Sequence, residues 1–466
     1  MTSPKMRTFR HALTLFAALF VVHAGIAADV NPTVTQDKRQ LAFPGAEGFG
    51  RFARGGRGGD VFHITTLNDD GPGSLRDGIR TATGPRTILF DLSGTIVLKT
   101  PLVIDKSQIT IAGQSAPGDG ICVRDQTFRL KNASHIVVRY IRFRLGDRNK
   151  PAQSGPDCLN TDDVDHVIFD HITASWGIDG NHDLRRGGNF TLQWSIYAEA
   201  LNHSIHKKGS HAMLASFRDL TASISLHHNL FASSRERHPT LGGSPRTDPK
   251  AIVDFRNNVI YNVEGATNLG NCRVNFINNY YRPGPNSPAN HRPIAVKAEN
   301  RGATKAYLIS NVFEDDNDMN RDNFRAIDFD RWSKGNYLHL DLNAIRVDRE
   351  FDLGDNRPQT QSAHDAYESV LSKSGASLFR DAADARLVQR IRDRSHRMID
   401  SQEEVGGWPE LQSIPPPSDR DGDGMPDDWE LNHHLDAGNR ADGNGDRDGD
   451  GYTNLEEYLN SLVSGR

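Results

Sequence analysis

Short runs of β-branched and aromatic residues recur along most of the chain, separated by turns rich in Gly, Asn and Asp. Helical periodicity is almost absent where these runs occur. Many short strands bounded by turn residues are typical of an all-β fold. Clear examples lie at 87–90, 109–111, 136–138, 167–169 and 252–255.

A second pattern narrows the fold class further. A small polar residue followed by apolar or aromatic residues recurs at intervals of 25, 34, 29, 21 and 32 residues. Periods of this length indicate a solenoid, and strand-only units indicate a parallel β-helix. A β-sandwich or propeller would need more regular repeats or tight hairpin signals. We therefore predict a right-handed parallel β-helix, in which Asn suits the turns because it tolerates left-handed backbone and hydrogen-bonds stacked neighbours. The recurring residues are Asp170, Ser195, Asn229, Asn258, Asn279 and Asn311.

The N-terminus has the features of a secretory signal peptide. Lys5, Arg7 and Arg10 precede an apolar run at 12–22 and small residues at 25–27. The run is too short to span a bilayer comfortably. We expect cleavage after residue 27 and a secreted, extracellular or periplasmic protein with no membrane span.

Charge and cysteine content exclude several classes of protein. Residues 418–466 carry 13 acids against four Lys or Arg, a net charge of −9, which leaves 28–417 at +1. This balance argues against nucleic-acid binding but allows a local basic groove for an anionic polymer. With 36% hydrophobic and 25% charged residues, disorder is excluded. The only cysteines, Cys122, Cys158 and Cys272, allow at most one disulfide.

Several segments together resemble the pectate lyase superfamily, specifically polysaccharide lyase family 1. The likeness runs over about 43–340 and implies a parallel β-helix enzyme that cleaves polygalacturonate by β-elimination with the help of Ca²⁺. The glycines at 55–59 are then a turn at the start of the β-helix, and not a phosphate loop, because no helix follows them. The segments that carry the resemblance are 48–50, 55–59, 61–68, 71–76, 111–118, 157–183, 227–231 and 235–239.

The resemblance implies a calcium site made of three carboxylates. It places Asp157, Asp179 and Asp183 on the ligand positions of the family. Gly155 stands where the family has a further aspartate, so we expect weak binding until substrate supplies oxygen ligands. Ca²⁺ on the substrate carboxylate would offset the charge that disfavours a carbanion at carbon 5.

The same resemblance implies an arginine as the base that removes the carbon 5 proton. The matching residue is Arg237, followed by His238 and Pro239. Arginine normally keeps its proton, so it acts as a base only where nearby cations disfavour the charged form and the pH is high. We expect Arg235 to bind substrate or to lower the pKa of the base, with a surface ion pair as the alternative.

A lysine is expected to hold the substrate carboxylate. We choose Lys208 as a catalytic partner, with Lys207 and His206 as further substrate contacts. The family's second arginine is replaced by Gly242, so Arg246 is a candidate substitute. The cluster of His203, His206, His211, His227 and His228 is interpreted as packing within stacked turns, since no compact zinc motif is present.

The C-terminal third divides into a helical annex and an acidic tail. Amphipathic spacing at 363–371 and 381–392 predicts helices that pack on the flank of the β-helix. Three prolines at 415–417 mark a linker. The domains expected are therefore 28–345 for the β-helix, 346–414 for the annex and 415–466 for the tail.

The tail contains two segments with the spacing of EF-hand calcium loops, 27 residues apart. Alternate carboxylates on a tight loop converge on one cation, and the final Glu can bind through both oxygens. No helix precedes either loop, which resembles dockerin or thrombospondin type-3 loops. We expect Ca²⁺ to stabilise the tail or to let it dock to a cell surface or scaffold. The ligands expected are Asp419, Asp421, Asp423, Asp427 and Glu430, then Asp446, Asp448, Asp450, Asn454 and Glu457.

The predicted function is that of a secreted, monomeric, calcium-dependent pectate lyase acting on polygalacturonate. Two alternatives stay open at this point. One is a non-catalytic pectin-binding or adhesive β-helix anchored by its tail. The other is a polygalacturonase-type hydrolase, which needs a pair of carboxylates at glycosidase separation.

Overall fold

Short parallel strands recur throughout the chain between residues 60 and 328. The computed structural model describes residues 39–148, 150–243, 245–299, 302–333, 335 and 337–464, so the predicted signal peptide lies outside the described residues. Within this described part we number 26 strands in chain order: β1 (Asp60–Ile64), β2 (Arg86–Phe90), β3 (Gly94–Val97), β4 (Leu102–Ile104), β5 (Ile109–Ala112), β6 (Ile121–Arg124), β7 (Phe128–Lys131), β8 (Ser134–Arg139), β9 (Ile141–Arg144), β10 (Leu159–Asp170), β11 (Thr173–Ser175), β12 (Gly180–Gln193), β13 (Ile196–Ala198), β14 (Met213–Arg218), β15 (Ile224–His227), β16 (Leu230–Ser234), β17 (Thr240–Gly242), β18 (Ile252–Arg256), β19 (Val259–Val263), β20 (Thr267–Leu269), β21 (Arg273–Ile277), β22 (Tyr280–Arg282), β23 (Ile294–Val296), β24 (Lys305–Ile309), β25 (Val312–Phe313) and β26 (Ile327–Asp328).

Each strand pairs in parallel with its counterpart in the next coil, which produces three sheets along the chain. The first sheet runs β4–β7–β10–β12–β14–β17–β20–β23–β26, and the second runs β1–β2–β5–β8–β10–β12–β15–β18–β21–β24. The long strands β10 and β12 bend through both. The third sheet runs β3–β6–β9–β11–β13–β16–β19–β22–β25. These stacked coils confirm the predicted parallel β-helix.

The interior of the coils is filled by aliphatic and aromatic side chains in stacked rows. Phe231, Phe255 and Phe276 come from successive coils, with ring centroids 5.8 and 4.8 Å apart. All three are fully buried. Because each coil covers the one before it, the core is continuous along the solenoid.

A ladder of asparagines lines the turn that leads into the third sheet. The backbone N–H of Asn229 donates to Asn258 Oδ1 at 3.0 Å, and the contact repeats from Asn258 to Asn279 and from Asn279 to Asn311. Ser195 joins this ladder through its N–H, which donates to Asn229 Oδ1 at 2.9 Å, so five of the six recurring residues stack as predicted. Asp170 does not, because it pairs in register with Gln193 and not with Ser195. The left-handed backbone, however, belongs to the preceding residues, such as Asn257 with φ of 52°.

Seven α-helices occur in the described residues, and two of them form the annex. α4 and α5 bury Tyr367, Val370 and Leu387 against the third sheet. The N-cap of α5 is Asp381, which is buried and pairs with Arg144 at 2.5 Å. This ion pair ties the annex to the β-helix. The helices are α1 (Leu75–Arg80), α2 (Asn317–Arg321), α3 (Leu342–Ile345), α4 (Ala363–Lys373), α5 (Ala382–Arg392), α6 (Asp427–Asn432) and α7 (Asn454–Ser461).

The three cysteines are buried and unbridged, so the single disulfide that the sequence allows does not form. The glycines at 55–59 form turns beside β2, where a Cβ on Gly59 would lie 1.9 Å from the carbonyl oxygen of Pro85. Only glycine permits that approach of two backbones. Among the described residues, none of the helices has both the length and the apolar character needed to cross a bilayer.

Candidate active site

The three predicted calcium ligands lie around the start of β10 and β12. Asp157 precedes β10, Asp179 precedes β12, and Asp183 lies within β12 opposite Asn160. Asn160 donates to Asp157 Oδ2 at 2.8 Å. Burial, and then the negative charges of Asp179 and Asp183, raise the pKa of Asp157 to about 8. The three carboxylates therefore form one electrostatic group, and a cation placed there would relieve their repulsion.

Two of these carboxylates already have cationic or hydrogen-bonding partners. Asp183 accepts hydrogen bonds from Arg185 Nε at 2.9 Å and from Arg218 Nη2 at 3.0 Å. Asp179 Oδ1 lies 2.6 Å from His211 Nε2. Burial opposes ionisation of Asp179, but the hydrogen bond to His211 and the charges of His211 and Arg237 together outweigh burial and lower its pKa. Asp157 and Asp179 thus have pKa values displaced in opposite directions.

Two stacked histidines occupy the space beside this group. The rings of His206 and His211 are 3.9 Å apart and nearly parallel, and both residues are buried. A Cβ on Gly155 would lie 2.7 Å from His206 Nε2. The imidazole of His206, from another segment, therefore occupies the space beside Gly155, the position at which the family has an aspartate. One ligand atom each from Asp179, His206 and His211 lies within 4.8 Å of the others.

Arg237 lies in the turn between β16 and β17, with φ of 63°. Its carbonyl accepts a hydrogen bond from Ala215 N at 3.1 Å. Its guanidinium is half-buried and, within the described residues, has no hydrogen-bond or ion-pair partner. It is close enough to Asp157 and Asp179 to lower the pKa of each. An arginine without a partner beside a carboxylate group is free to meet a ligand.

Arg235 has a different environment from Arg237. It donates from Nη1 to the carbonyl of Ser210 at 2.9 Å and lies 3.6 Å from Glu264. Residues 235–239 form a turn and not a strand, so strand alternation does not place the two arginines on one face. Arg235 therefore braces the loop before β14.

The lysines chosen from the sequence lie in that exposed loop. Lys207 and Lys208 are both exposed, and Lys208 N–H donates to Nδ1 of His206 at 3.1 Å. The structure brings a different lysine to the arginines. Lys297 follows β23, and its ammonium lies 4.2 Å from the ring centroid of Trp332 and 5.0 Å from that of Tyr337.

Lys297 belongs to the same electrostatic environment as the predicted base. Burial, and then the positive charge of Arg237, lower the pKa of Lys297, and Arg218 adds to this effect. Trp332 is fixed by its indole N–H, which donates to Asn268 Oδ1 at 2.7 Å. Asn268 pairs in register with Thr240, which pairs with Ser216 of β14, and Ser216 pairs with Asp183. The pairing of strands in successive coils is what brings Lys297 to the site. The sequence does not reveal that pairing, so it gave no reason to choose Lys297.

Basic side chains continue along the first sheet. Arg185 and Arg218 are register partners, and Gly242 follows them on β17. A Cβ on Gly242 would lie 2.5 Å from Cys272 Cβ, so an arginine does not fit at this position. Arg246 is 77% exposed and lies 3.4 Å from Asp219. It lines, with Arg185, Arg218, Asp219, Pro245 and Glu299, a cavity of about 360 Å³.

Eight of the ten predicted ligands of the tail, joined by Asp442, which was not predicted, fall into three groups of converging carboxylates. Asp427 and Asn454 instead accept hydrogen bonds from Arg420 N at 2.9 Å and from Arg447 N at 3.1 Å, which closes each loop on itself. Burial, and then neighbouring acids, raise the pKa of Asp423 to about 7. Within each group, one oxygen per residue lies within 4.8 Å of the others. The groups are Asp419–Asp421–Asp423, Asp423–Glu430–Asp442 and Asp446–Asp448–Asp450–Glu457.

The tail packs directly on the outside of the first coils. Met425 and Leu455 are buried against Leu89 of β2. Arg57 pairs with Glu456 at 2.8 Å. The tail and the β-helix therefore share an apolar interface, and both fall within one compact unit, Gln40–Arg466.

Comparison with known proteins identifies the family. A protein of Aspergillus flavus called "Probable pectate lyase C" is 36% identical over 434 residues, covering 91% of this chain and 94% of its own length. The protein of the same name from Emericella nidulans is 34% identical over 435 residues, covering 91% of this chain and 93% of its own length. No protein-family model matches the chain. A pectate lyase from a Bacillus species, solved in complex with trigalacturonate, is 18% identical, covers 71% of this chain and 98% of that chain, and superposes with a TM-score of 0.47.

The relatives and the fold together define a polysaccharide lyase built on a parallel β-helix. The Aspergillus flavus protein is more than one third identical to this chain and is covered over nearly its whole length, which is enough to assign the family. The chain belongs to the pectate lyase family.

Proposed function

We propose that this lyase cleaves polygalacturonate, the de-esterified form of pectin, across the face of the first sheet. The observation that carries the proposal is the position of the unpartnered Arg237 guanidinium beside Asp157 and Asp179. Arg185 and Arg218 continue the positive charge along the sheet. Guanidinium groups bind carboxylates through paired, charge-assisted hydrogen bonds, so a polymer with one carboxylate per sugar matches this surface.

The proposed reaction is a β-elimination in which Arg237 is the base. Arg237, in its neutral form, takes the proton from carbon 5. The electron pair left behind forms the double bond between carbons 4 and 5, and the bond from carbon 4 to the glycosidic oxygen breaks. That oxygen then takes up a proton, and one product carries an unsaturated uronate. Because a neutral arginine is required, activity should rise towards alkaline pH.

The carboxylates beside Arg237 are hard oxygen ligands of the kind that Ca²⁺ prefers, although the ligand atoms that lie within 4.8 Å of one another here belong to Asp179, His206 and His211. Asp157 is half-buried, forms no ion pair within the described residues, and lies next to two other acids whose charges raise its pKa. Asp157 and Asp179 would supply ligand oxygens, and Asp183 would add charge while it holds Arg185 and Arg218. Bound Ca²⁺ would neutralise the substrate carboxylate and so favour loss of the carbon 5 proton.

Substrate carboxylates would be held by cations that line the same face. Lys297 replaces Lys208 as the preferred lysine, because it lies beside Arg237 on an aromatic platform of Trp332 and Tyr337. Arg246 would extend the surface at its rim. Lys207 and Lys208 are then part of the loop before β14, and Arg235 braces that loop through the carbonyl of Ser210.

The tail would bind Ca²⁺ through its two loops and stabilise the β-helix on which it packs. Its apolar contacts with Leu89 support a structural role over docking to a separate partner. Export through the N-terminal signal peptide would place the enzyme where Ca²⁺ is plentiful.

The test is to examine the products made from polygalacturonate with and without a chelator. The wild-type protein should generate the ultraviolet absorbance of an unsaturated uronide in Ca²⁺, and lose it in chelator. Arg237→Ala should lower the rate by about 10²–10⁴-fold at unchanged melting temperature. Arg325→Ala, at an exposed position far along the chain, should leave the rate unchanged.

A hydrolase is the second candidate, because two acids with oppositely displaced pKa values are also what glycosidases use. New reducing ends without ultraviolet absorbance would establish that reaction and refute the elimination. Retention on pectate without either signal would indicate a binding protein.

A further inference from the structure

We propose that Asp423, Glu430 and Asp442 form a second divalent-cation position beside the first loop of the tail, bridged to the loop's own cation by Asp423. The proposal rests on the calcium loops proposed above and adds a site that their spacing does not contain. Its ligands are hard oxygens, so the cation is of the Ca²⁺ class.

The two loops of the tail provide an internal comparison. In the second loop, one oxygen of Glu457 lies within 4.8 Å of oxygens from Asp446, Asp448 and Asp450, as a single-ion loop requires. In the first loop, the corresponding Glu430 is grouped with Asp442. Asp419 and Asp421 converge with Asp423 alone, without Glu430. The first loop therefore presents two ligand groups where the second presents one.

Within the part of the chain that the structure describes, oxygens in the second group are buried and have no hydrogen-bond partner. Glu430 is fully buried, and neither of its carboxylate oxygens has a hydrogen-bond partner. Asp423 is 2% exposed, and its Oδ2 also has no partner. Asp442 Oδ1 is likewise buried and unpartnered. Leaving such charged atoms unpaired is costly, and a cation between them removes the cost.

Asp442 is held in place by contacts that leave its Oδ1 free for a cation. Its Oδ2 accepts a hydrogen bond from Asp436 N at 3.0 Å. Its carbonyl accepts from Gly445 N and from Asn454 Nδ2, both at 2.7 Å. Because Asn454 belongs to the second loop, these contacts also couple the two loops.

The backbone next to Asp442 approaches Asp423 closely. A Cβ on Gly443 would lie 2.5 Å from Asp423 Oδ2, so only glycine allows this approach. Asn444 Nδ2 donates to the carbonyl of Gly59 at 2.9 Å, beside the first strand. A cation here would fasten the segment 442–444 to both the first loop and the β-helix.

Charge balance favours two ions over one. The two ligand groups at the first loop together bring five carboxylates. One divalent ion would leave a net charge of −3, whereas two leave −1. Bridging by Asp423 is possible because its carboxylate has two oxygens, of which only Oδ1 accepts a backbone N–H, from Met425 at 2.9 Å.

The experiment measures Ca²⁺ stoichiometry by isothermal titration of the metal-free full chain. Asp442→Asn should bind one Ca²⁺ fewer than wild type, and its Ca²⁺-induced rise in melting temperature should be smaller. The variant keeps the backbone contacts and a side-chain acceptor for Asp436 N, so its melting temperature in chelator should match or exceed that of wild type. The control is Asp428→Asn, an exposed acid of α6 outside all three groups, which should bind as many ions as wild type.

Each outcome distinguishes the proposals. Equal stoichiometry for wild type and Asp442→Asn would overturn the second site and leave the two loops in place. Removing the tail carboxylates Glu430 and Glu457 together (Glu430→Gln and Glu457→Gln) with no loss of bound Ca²⁺ would reject the calcium loops themselves.

Discussion

Glu199 connects the annex to the β-helix. Replacing it should show whether contacts with the annex contribute to the stability of the fold. It is 2% exposed and follows β13. It accepts hydrogen bonds from Trp176 Nε1 at 2.8 Å and from Arg386 Nη1 of α5 at 2.8 Å. Nε2 of the fully buried His396 lies 3.1 Å from Glu199 Oε1.

The expected cost follows from what each variant leaves behind. Glu199→Ala leaves an indole N–H, a guanidinium and a buried imidazole without their acceptor. Breaking a buried pair in this way costs about 3–5 kcal/mol. Glu199→Gln preserves volume and one acceptor, so its cost should be about 1.5–3 kcal/mol, the range for a hydrogen bond to a charged group.

The same carboxylate predicts a pH effect with a definite sign. Burial alone would raise the pKa of Glu199, but His396 and Arg386 outweigh it and hold that pKa well below its usual range. A depressed folded-state pKa contributes stability above the unfolded value, near 4.5, and that stability is lost as the pH falls. Glu199→Gln should therefore lose less stability than wild type between pH 5 and pH 3.

Urea unfolding at pH 7 and at several acidic pH values measures both effects. The matched control is Glu368→Gln, whose carboxylate is exposed and pairs with Arg392 at 2.9 Å. The control should change stability by less than about 1 kcal/mol, as exposed pairs do. A loss below 1 kcal/mol for Glu199→Ala, or identical acid slopes for wild type and Glu199→Gln, would refute this reasoning.

Two further predictions concern the active site. Gly155→Ala should lower stability by about 1–3 kcal/mol, because its Cβ would collide with His206 at 2.7 Å; the added His206→Ala should recover most of the loss in urea unfolding. Lys297→Met should raise KM for polygalacturonate by about 10–100-fold, the loss of one charge-assisted bond, while Lys208→Met changes it less than threefold. Steady-state kinetics of the two variants compares them directly, and a larger effect at Lys208 would restore the choice made from the sequence.

The architecture was predictable because a β-helix repeats its local rules in every coil. The strand runs and the polar residue that follows them depend only on neighbours in the chain and on the coil above. Asn258 illustrates this, since both its partners in the ladder lie at equivalent positions, 29 residues before it and 21 after it. What sequence reasoning placed wrongly was the left-handed residue, which is one position earlier.

The carboxylates of the candidate site were chosen through the resemblance to the pectate lyase family, which one segment of the chain carries. Asp157, Asp179 and Asp183 lie within 27 residues, near the starts of the paired strands β10 and β12. Their partners were not identifiable in the same way. Arg218 was reached only through the register of β12 and β14, and no motif signals that Asp183 is already paired.

Irregular coil length explains why the sequence did not point to Lys297. Lys297 lies 60 residues after Arg237, and the intervals between successive ladder residues vary from 21 to 34. With a fixed period, a residue's position in the chain would reveal its row on the sheet, and Lys297 would have been aligned with the site at once. With a variable period, each further coil makes it less certain which row of the sheet a residue occupies. Neighbours that are distant in sequence, such as Lys297 and Arg237, therefore become apparent only when the strand pairing is known. The same holds for the tail, where the loop spacing identifies the acids within each loop but not Asp442, which reaches Glu430 from the segment between the loops.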